Sequence, residues 1–404
     1  MREGFGFEIK QKIPGSLGRA GTIHTPHGDI PTPSFVVVGT KGTVKGLTSE
    51  QIRATGAHTV LANTYHLYLE PGEEKVKRLG GVGRMIGFEG PTMTDSGGFQ
   101  AFSLGAAFGK SVSKVARDGD ESNNVTENTS KKARVTDDGV EFKSLKDGSV
   151  HFFTPEKSVE IQHALGADIF FAFDECTSPH DPYDYQKIAL ARTHAWAERC
   201  LRRHSELSKT AEPSRSPQAL FGVVQGGRYE DLRRESARVL GAMDFDGFGI
   251  GGSFSKDDLG TAVRWVNEEL PEDKPRHLLG IGEVEDIFIG VENGCDTFDC
   301  VIPTRIGRHG QLFTSRGKIN IKNAEFREDY TQVEVGCDCF TCTHHTRAYL
   351  SHLFHADEML GMVLASIHNI RFLVRLVDRI RDSILQGTFI QYKKEFLETY
   401  HRKK

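Results

Sequence analysis

The chain has 404 residues, enough for one large core with an appendage or for two domains, and its formal net charge of −4 lies near balance. Any nucleic-acid contact must therefore come from a local basic patch, which excludes nonspecific coating of a polyanion by the overall field. Seven cysteines, an odd number with three clustered, exclude a disulfide framework of the secreted type. The segment MREGFGFEIK has no signal-peptide apolar core, and no uninterrupted apolar run approaches the roughly 20 residues of a membrane span. The expectation is a soluble, cytoplasmic protein with no membrane partner.

In chain order, FEIK and AGTIHTPHGDIPTP predict a small hairpin over residues 1–33, with Gly28-Asp29 as its turn, placed to close the floor of a barrel. From 34 to about 303, short and nearly continuous apolar runs alternate with segments of helical period. This is the pattern of strands buried on both faces of a parallel sheet. The runs are SFVVVGT (34–40), HTVLANTY (58–65), PTMTDS (91–96), DIFFAFD (168–174), ALFGVVQG (219–226), DGFGIGG (246–252), HLLGIG (277–282) and TFDCVIP (297–303). Between them lie amphipathic stretches such as TPEKSVEIQHALG (154–166), EDLRRESARVLGAM (230–243) and VEDIFIGVENG (284–294). Eight such units predict an α/β fold, a (β/α)8 TIM barrel over 34–330. An open doubly wound sheet is the competitor, but no GxGxxG opens the first helix. Residues 105–138 are polar and almost free of large apolar side chains, which predicts a mobile surface insertion. Beyond 330 the pattern is a cysteine-rich turn and then helix to a basic end, HRKK, which predicts a zinc-binding and helical C-terminal subdomain over 331–404.

Catalytic groups of a barrel project from the C-terminal ends of its strands. Here those ends carry Asp95, Asp174, Gln225 and, inside the eighth run, Asp299. A single Asp after a strand is commonly a helix cap or turn former. Several on one mouth instead suit glycosidic-bond chemistry, in which one carboxylate attacks the sugar carbon and another manages the leaving group's proton. Glycines in TDSGGFQ, VVQGG and GIGG allow close backbone approach to a flat heterocycle, with Phe99 able to stack on it and Asp174 and Gln225 able to read its edge. Arg305 and Arg308 in PTRIGRHG suit phosphates or base edges.

Cys337, Cys339 and Cys342 form a CxCxxC cluster able to place three thiolates on one tetrahedral zinc. His344, His345, His352, His355 and His368 are candidates for the fourth position. His368 is preferred because VLASIHNI puts it on an amphipathic helix that can fold over the cysteine turn. A closed Cys3His site is structural, not catalytic.

TDSGGFQ (94–100), FDECTSP (173–179), GVVQGG (222–227), FDCVIPTRIGRHGQ (298–311) and CDCFTC (337–342) with HNI (368–370) resemble the bacterial-type tRNA-guanine transglycosylases, also called queuine/preQ1 tRNA-ribosyltransferases, in the family's order and over nearly the whole chain. The resemblance implies exchange of the wobble guanine in tRNAs with GUN anticodons (Asp, Asn, His, Tyr) for a 7-deazaguanine, normally preQ1, in queuosine biosynthesis. It implies Asp299 as the nucleophile that holds the RNA covalently and Asp95 as the general acid/base. Asp174, Gln225 and Gly252 would read the base, Phe99 and Cys176 line its slot, and Leu279 and Gly280 flank it. Arg305 and Arg308 would grip the anticodon loop, and Cys337, Cys339, Cys342 and His368 bind one structural zinc ion. The family is usually homodimeric, with Tyr349 and His352 in the interface segment.

The chain departs from the bacterial pattern after Gly251-Gly252, where Ser253, Phe254, Ser255, Lys256 and Asp257 replace a Leu, small, Val, Gly, Glu run; a slot widened at Ser255 would admit queuine. Glu283 stands where many members carry a basic residue. The competing readings are a noncatalytic RNA-binding partner subunit and a barrel hydrolase of ordinary glycosides. Retention of Asp95, Asp174 and Asp299 opposes the first. The second needs several cleft aromatics, and the only two tryptophans, Trp196 and Trp265, sit on helix-like segments.

Overall fold

All eight apolar runs form strands, and these pair in parallel to close a barrel. The computed structural model describes residues 4–106, 115–116, 133–144, 146–211, 216–252, 254–255 and 258–402. Its first ten strands are β1 (Gly6–Lys12), β2 (Arg19–Thr25), β3 (Gly28–Thr32), β4 (Ser34–Val38), β5 (Val60–Ala62), β6 (Thr92–Thr94), β7 (Val115–Ala116), β8 (Ala133–Val135), β9 (Val140–Lys143) and β10 (Val150–Phe153). The rest are β11 (Ile169–Phe171), β12 (Ala219–Val224), β13 (Gly247–Ile250), β14 (Phe254–Ser255), β15 (Arg276–Leu278), β16 (Thr297–Cys300), β17 (Gln311–Thr314) and β18 (Gly317–Asn320). Around the barrel the order is β4-β5-β6-β11-β12-β13-β15-β16, returning to β4.

Alternation along these strands divides the apolar residues into two cores. Val36, Leu61, Met93, Ile169, Phe171, Phe221 and Val223 fill the barrel interior, whereas residues such as Phe35, Phe170, Phe248 and Phe298 belong to the shell beneath the helices. The inner Phe side chains need small neighbours. A Cβ on Gly247 would come within 2.5 Å of the Phe221 ring, and one on Gly249 within 3.0 Å of the Phe171 ring. The DGFGIGG run is glycine-rich partly for this reason.

β1, β2 and β3 form an antiparallel sheet whose Ile23 and Ile30 are fully buried with the inner barrel residues, so the sheet covers the end from which the strands start. The hairpin turn is not at Gly28-Asp29. Thr25 pairs with Gly28, so Pro26 and His27 make the corner, with Pro26 supplying the fixed φ and Gly28 (φ 126°) restarting the strand. At this floor Asp168, Asp246 and Asp296, each one residue before a run's apolar core, accept the backbone N–H of Thr92 (2.8 Å), Leu220 (2.9 Å) and Arg276 (2.8 Å) on neighbouring strands. Asp296 also receives a bidentate pair from the buried Arg19, 2.9 and 2.7 Å long.

The segment TPEKSVEIQHALG forms the helix Pro155–Leu165, capped by the Thr154 side chain and ended by Gly166 in the left-handed region. Most of the 105–138 insertion lies outside the described residues. Its described parts include β8, which joins β9 and β10 in an antiparallel sheet, and β7, which pairs in parallel with β14. The final helices run over Phe340–His344, Arg347–His355, Met359–Leu385 and Phe389–Tyr400. Met359–Leu385 is long and apolar enough to cross a membrane by length and composition, but most of its apolar window is packed inside the protein. Arg381 on this helix donates to the Pro33 carbonyl (3.0 Å), and Arg371 to the Thr55 carbonyl (3.2 Å), which fixes the helix along the barrel.

Candidate active site

The strand ends bring Asp95, Phe99, Asp174, Cys176, Gln225, Gly252 and Leu279 to one narrow cleft, together with Ser96, Gln100, Phe171, Val223 and Gly251. Asp95 follows β6 directly. Its carboxylate accepts from Asn63 Nδ2 (2.5 Å), Thr64 N (3.1 Å) and Gly97 N (3.1 Å), so the start of the Thr64–Leu69 helix and the TDSGG turn hold it together. Gly97 has φ 76° and its position would set a Cβ 3.1 Å from Tyr65 N, so the turn needs glycine on both counts.

Asp174, beyond β11, accepts from Ser96 Oγ (3.2 Å) and Gln225 Nε2 (2.6 Å). Gln225 Oε1 and Gln100 Oε1 are buried without a hydrogen-bond partner among the described residues. Two amide oxygens withdrawn from water in a small cleft are costly unless a ligand donates to them. Gly252 has φ 95°, and a Cβ there would lie 2.5 Å from Arg233 Nη2 and 3.0 Å from Gln225 Oε1. Arg233 is fully buried and donates to the carbonyls of Gly227 and Gly251, both at 2.8 Å, binding the loops after β12 and β13. Burial pushes its guanidinium down to about 10.

Asp299 stands on β16 beside this cleft and is mostly buried. Its Oδ1 accepts from Gly280 N (2.7 Å) and meets His277 Nε2 (3.0 Å), while His277 Nδ1 lies 2.8 Å from Thr297 Oγ1. Gly280 follows Leu279, a wall of the cleft, so one loop both lines the cleft and holds the Asp299 carboxylate. Asn63, Ser96, Gln100, Arg233 and His277 were not singled out from sequence. Asn63 and His277 are polar residues inside apolar runs, Ser96 and Gln100 belong to the TDSGGFQ motif, and Arg233 sits in the amphipathic stretch 230–243.

The helix Ile302–Gly307 follows β16 and carries Arg305, exposed, with Arg308 half-buried at its cap. Arg308 Nη1 is buried with no hydrogen-bond partner among the described residues, and burial together with the neighbouring Arg305 charge lowers the Arg308 pKa. Glu283 is paired with Lys318 Nζ at 2.5 Å.

Cys337, Cys339, Cys342 and His368 are all buried, with their donor atoms within 4.8 Å of one another. His368 Nδ1 lies 3.9, 3.7 and 3.3 Å from the three sulfurs in turn. Its Nε2–H donates to the Phe313 carbonyl at 2.7 Å, which fixes the tautomer that offers Nδ1 to a metal. Three buried sulfurs and one imidazole nitrogen converging within 4.8 Å fit a tetrahedral cation. His344, His352 and His355 are exposed and His345 is half-buried beside Tyr349, so His368 is the histidine of the cluster.

A (β/α)8 barrel with carboxylates gathered at the strand ends and an appended Cys3His cluster has the architecture of a barrel enzyme. Residues 15–402 match the queuine tRNA-ribosyltransferase family profile. The queuine tRNA-ribosyltransferase of Symbiobacterium thermophilum is 45% identical over 398 residues, 98% of this chain and 91% of that protein. Those of Thermoanaerobacter pseudethanolicus and a Roseiflexus species are each 46% identical, over 98% and 97% of this chain and 97% and 98% of their own lengths. The chain belongs to the queuine tRNA-ribosyltransferase family and is a transferase.

Proposed function

We propose that the protein exchanges the wobble guanine of tRNAs with GUN anticodons for preQ1 by double displacement. The observation that carries this reading is the cleft itself: unsatisfied amide oxygens of Gln225 and Gln100 beside the Asp174 carboxylate form an acceptor-rich slot for the N–H edge of a purine-like base. The Asp299 carboxylate attacks ribose C1′ as the bond to guanine breaks, and the bonding pair leaves with the base. Asp95 gives the departing guanine its proton. It then takes a proton from the incoming base, which attacks C1′ and releases the Asp299 carboxylate.

Arg308 and Arg305, two mutually repelling guanidiniums of which one has an orphaned Nη1, suit the phosphates of the anticodon loop. The Cys3His centre is read as a structural zinc site, with all four positions supplied by the protein and none left for substrate. An exposed aromatic ladder supports a homodimer: Phe340 stacks on His344 at 4.4 Å, and His345 on Tyr349 at 5.0 Å, with His352 exposed nearby on the same helix. The expected compartment is the cytoplasm.

Incorporation of labelled guanine into an unmodified GUN-anticodon tRNA, followed by parallel chase with preQ1 and queuine, tests the reading. The Ser253–Asp257 run that bears on base size is largely outside the described residues. Faster displacement by queuine would reassign the base, and absence of exchange by metal-loaded protein would favour the partner-subunit reading.

A further inference from the structure

His277 is fully buried inside the barrel on β15, directly opposite Thr297 of β16 in the parallel register. Thr297 and Asp299 are two residues apart on one strand and therefore share its inner face. The imidazole spans them, with Nδ1 2.8 Å from Thr297 Oγ1 and Nε2 3.0 Å from Asp299 Oδ1. The Phe171 ring lies against it, with centroids 5.1 Å apart. An ionised carboxylate only accepts, so Nε2 carries the hydrogen, and in the neutral ring Nδ1 accepts from the Thr297 hydroxyl. Both named bonds to Asp299, from His277 and from Gly280 N at 2.7 Å, end on the same oxygen, Oδ1.

We infer that His277 is a positioning residue for the second displacement: with Gly280 N–H it stabilises the negative charge that returns to Asp299 when the sugar leaves it. This rests on the proposed role of Asp299 as nucleophile. In the covalent intermediate the Asp299–C1′ bond neutralises the carboxyl group. When the incoming base attacks C1′ that bond breaks, its electron pair returns to the carboxylate, and donors already aimed at Oδ1 meet the developing charge without reorganisation. The same donors make the free carboxylate a slightly poorer nucleophile, so their loss slows breakdown of the intermediate more than its formation.

The test compares wild type, His277→Leu and His277→Gln in exchange kinetics, together with the fraction of enzyme held on tRNA in a denaturing gel at steady state. His277→Leu should lower kcat roughly 10- to 100-fold, the range carried by a hydrogen bond to a charged group, with KM for tRNA falling in step, because kcat/KM for tRNA reports only formation of the intermediate, and the trapped fraction raised. His277→Gln, which keeps an N–H donor, should regain most of the rate. Equal trapped fractions in wild type and His277→Leu, or equal impairment of both variants with lowered melting temperatures, would leave only a packing role and overturn the inference. Absence of any trapped species in wild type would instead remove the underlying reading of Asp299.

Discussion

Gln225 donates from Nε2 to Asp174 Oδ2 across 2.6 Å, joining the ends of β12 and β11 and committing the amide's other atom, the buried Oε1, to whatever enters the cleft. Asp174→Asn puts an amide opposite an amide. Asn keeps one accepting oxygen, which can stay with Gln225 Nε2, but an N–H donor then replaces the second accepting oxygen of Asp174. Base exchange should fall roughly 100- to 1000-fold, because a slot built to pair a polar edge discriminates strongly once its pattern is inverted. The check is kcat/KM for guanine incorporation beside a melting curve, and a well-folded variant within about fivefold of wild type would refute the assignment.

Asp299→Asn keeps an amide oxygen for Gly280 N–H and His277 Nε2–H, so the end of the barrel should remain intact. What it removes is the charged nucleophile. No RNA-linked band is expected on a denaturing gel, with the melting temperature within a few degrees of wild type. A variant that still traps tRNA would place the nucleophile elsewhere.

Arg308→Ala removes a guanidinium whose Nη1 has no partner among the described residues, so the protein itself should lose little stability. Binding of tRNA should weaken, and the slope of log K against log salt should become shallower by about 0.7 to 0.9, the contribution of one phosphate contact. Titration of a GUN-anticodon tRNA at several salt concentrations measures both. An unchanged slope would exclude a phosphate partner for this residue.

Asp296→Ala strikes the opposite end of the barrel. It strands the Arg19 guanidinium, 1% exposed, and the backbone N–H of Arg276 without their carboxylate. Breaking one side of a buried pair costs about 3–5 kcal/mol, so the unfolding midpoint in denaturant should drop accordingly. A loss below about 1 kcal/mol would mean that water replaces the carboxylate, helped by the bond Arg19 Nη2 already donates to the Lys274 carbonyl at 2.7 Å.

The barrel strands were legible because each is buried on both faces and reads as an apolar run, from SFVVVGT to TFDCVIP. The hairpin corner was misplaced because Gly28-Asp29 imitates a turn signal while Pro26 takes the bend. Residues at the C-terminal strand ends, such as Asp95, Asp174 and Asp299, stood out by being acidic after apolar runs. Asn63, His277 and Arg233 did not, because each matters through a partner that only closure of the barrel supplies. Asn63 meets Asp95 32 residues away, and His277 meets Asp299 22 residues away. The β17–β18 hairpin was equally silent, although it provides the Phe313 carbonyl that orients His368.

That carbonyl connects the Cys3His cluster to the segment that carries Arg305 and Arg308. Asn369, next to His368, donates to the carbonyls of Pro303 (3.0 Å) and Gln311 (2.9 Å) and accepts from Phe313 N (2.9 Å), so one buried side chain ties the PTRIGRHGQ segment to the Met359–Leu385 helix. Stripping the metal with a chelator, or replacing Cys342 by Ser, should lower the melting temperature by about 10 °C or more, since several kcal/mol of folding energy reside in such a site. Binding of free guanine should change little, because none of the four ligands lines the base cleft. Affinity for tRNA should fall further, because the segment bearing Arg305 and Arg308 loses its rigid support. Comparing the two affinities before and after chelation separates these effects: equal losses would mean that the metal supports the whole fold, and no loss of stability would exclude a structural metal.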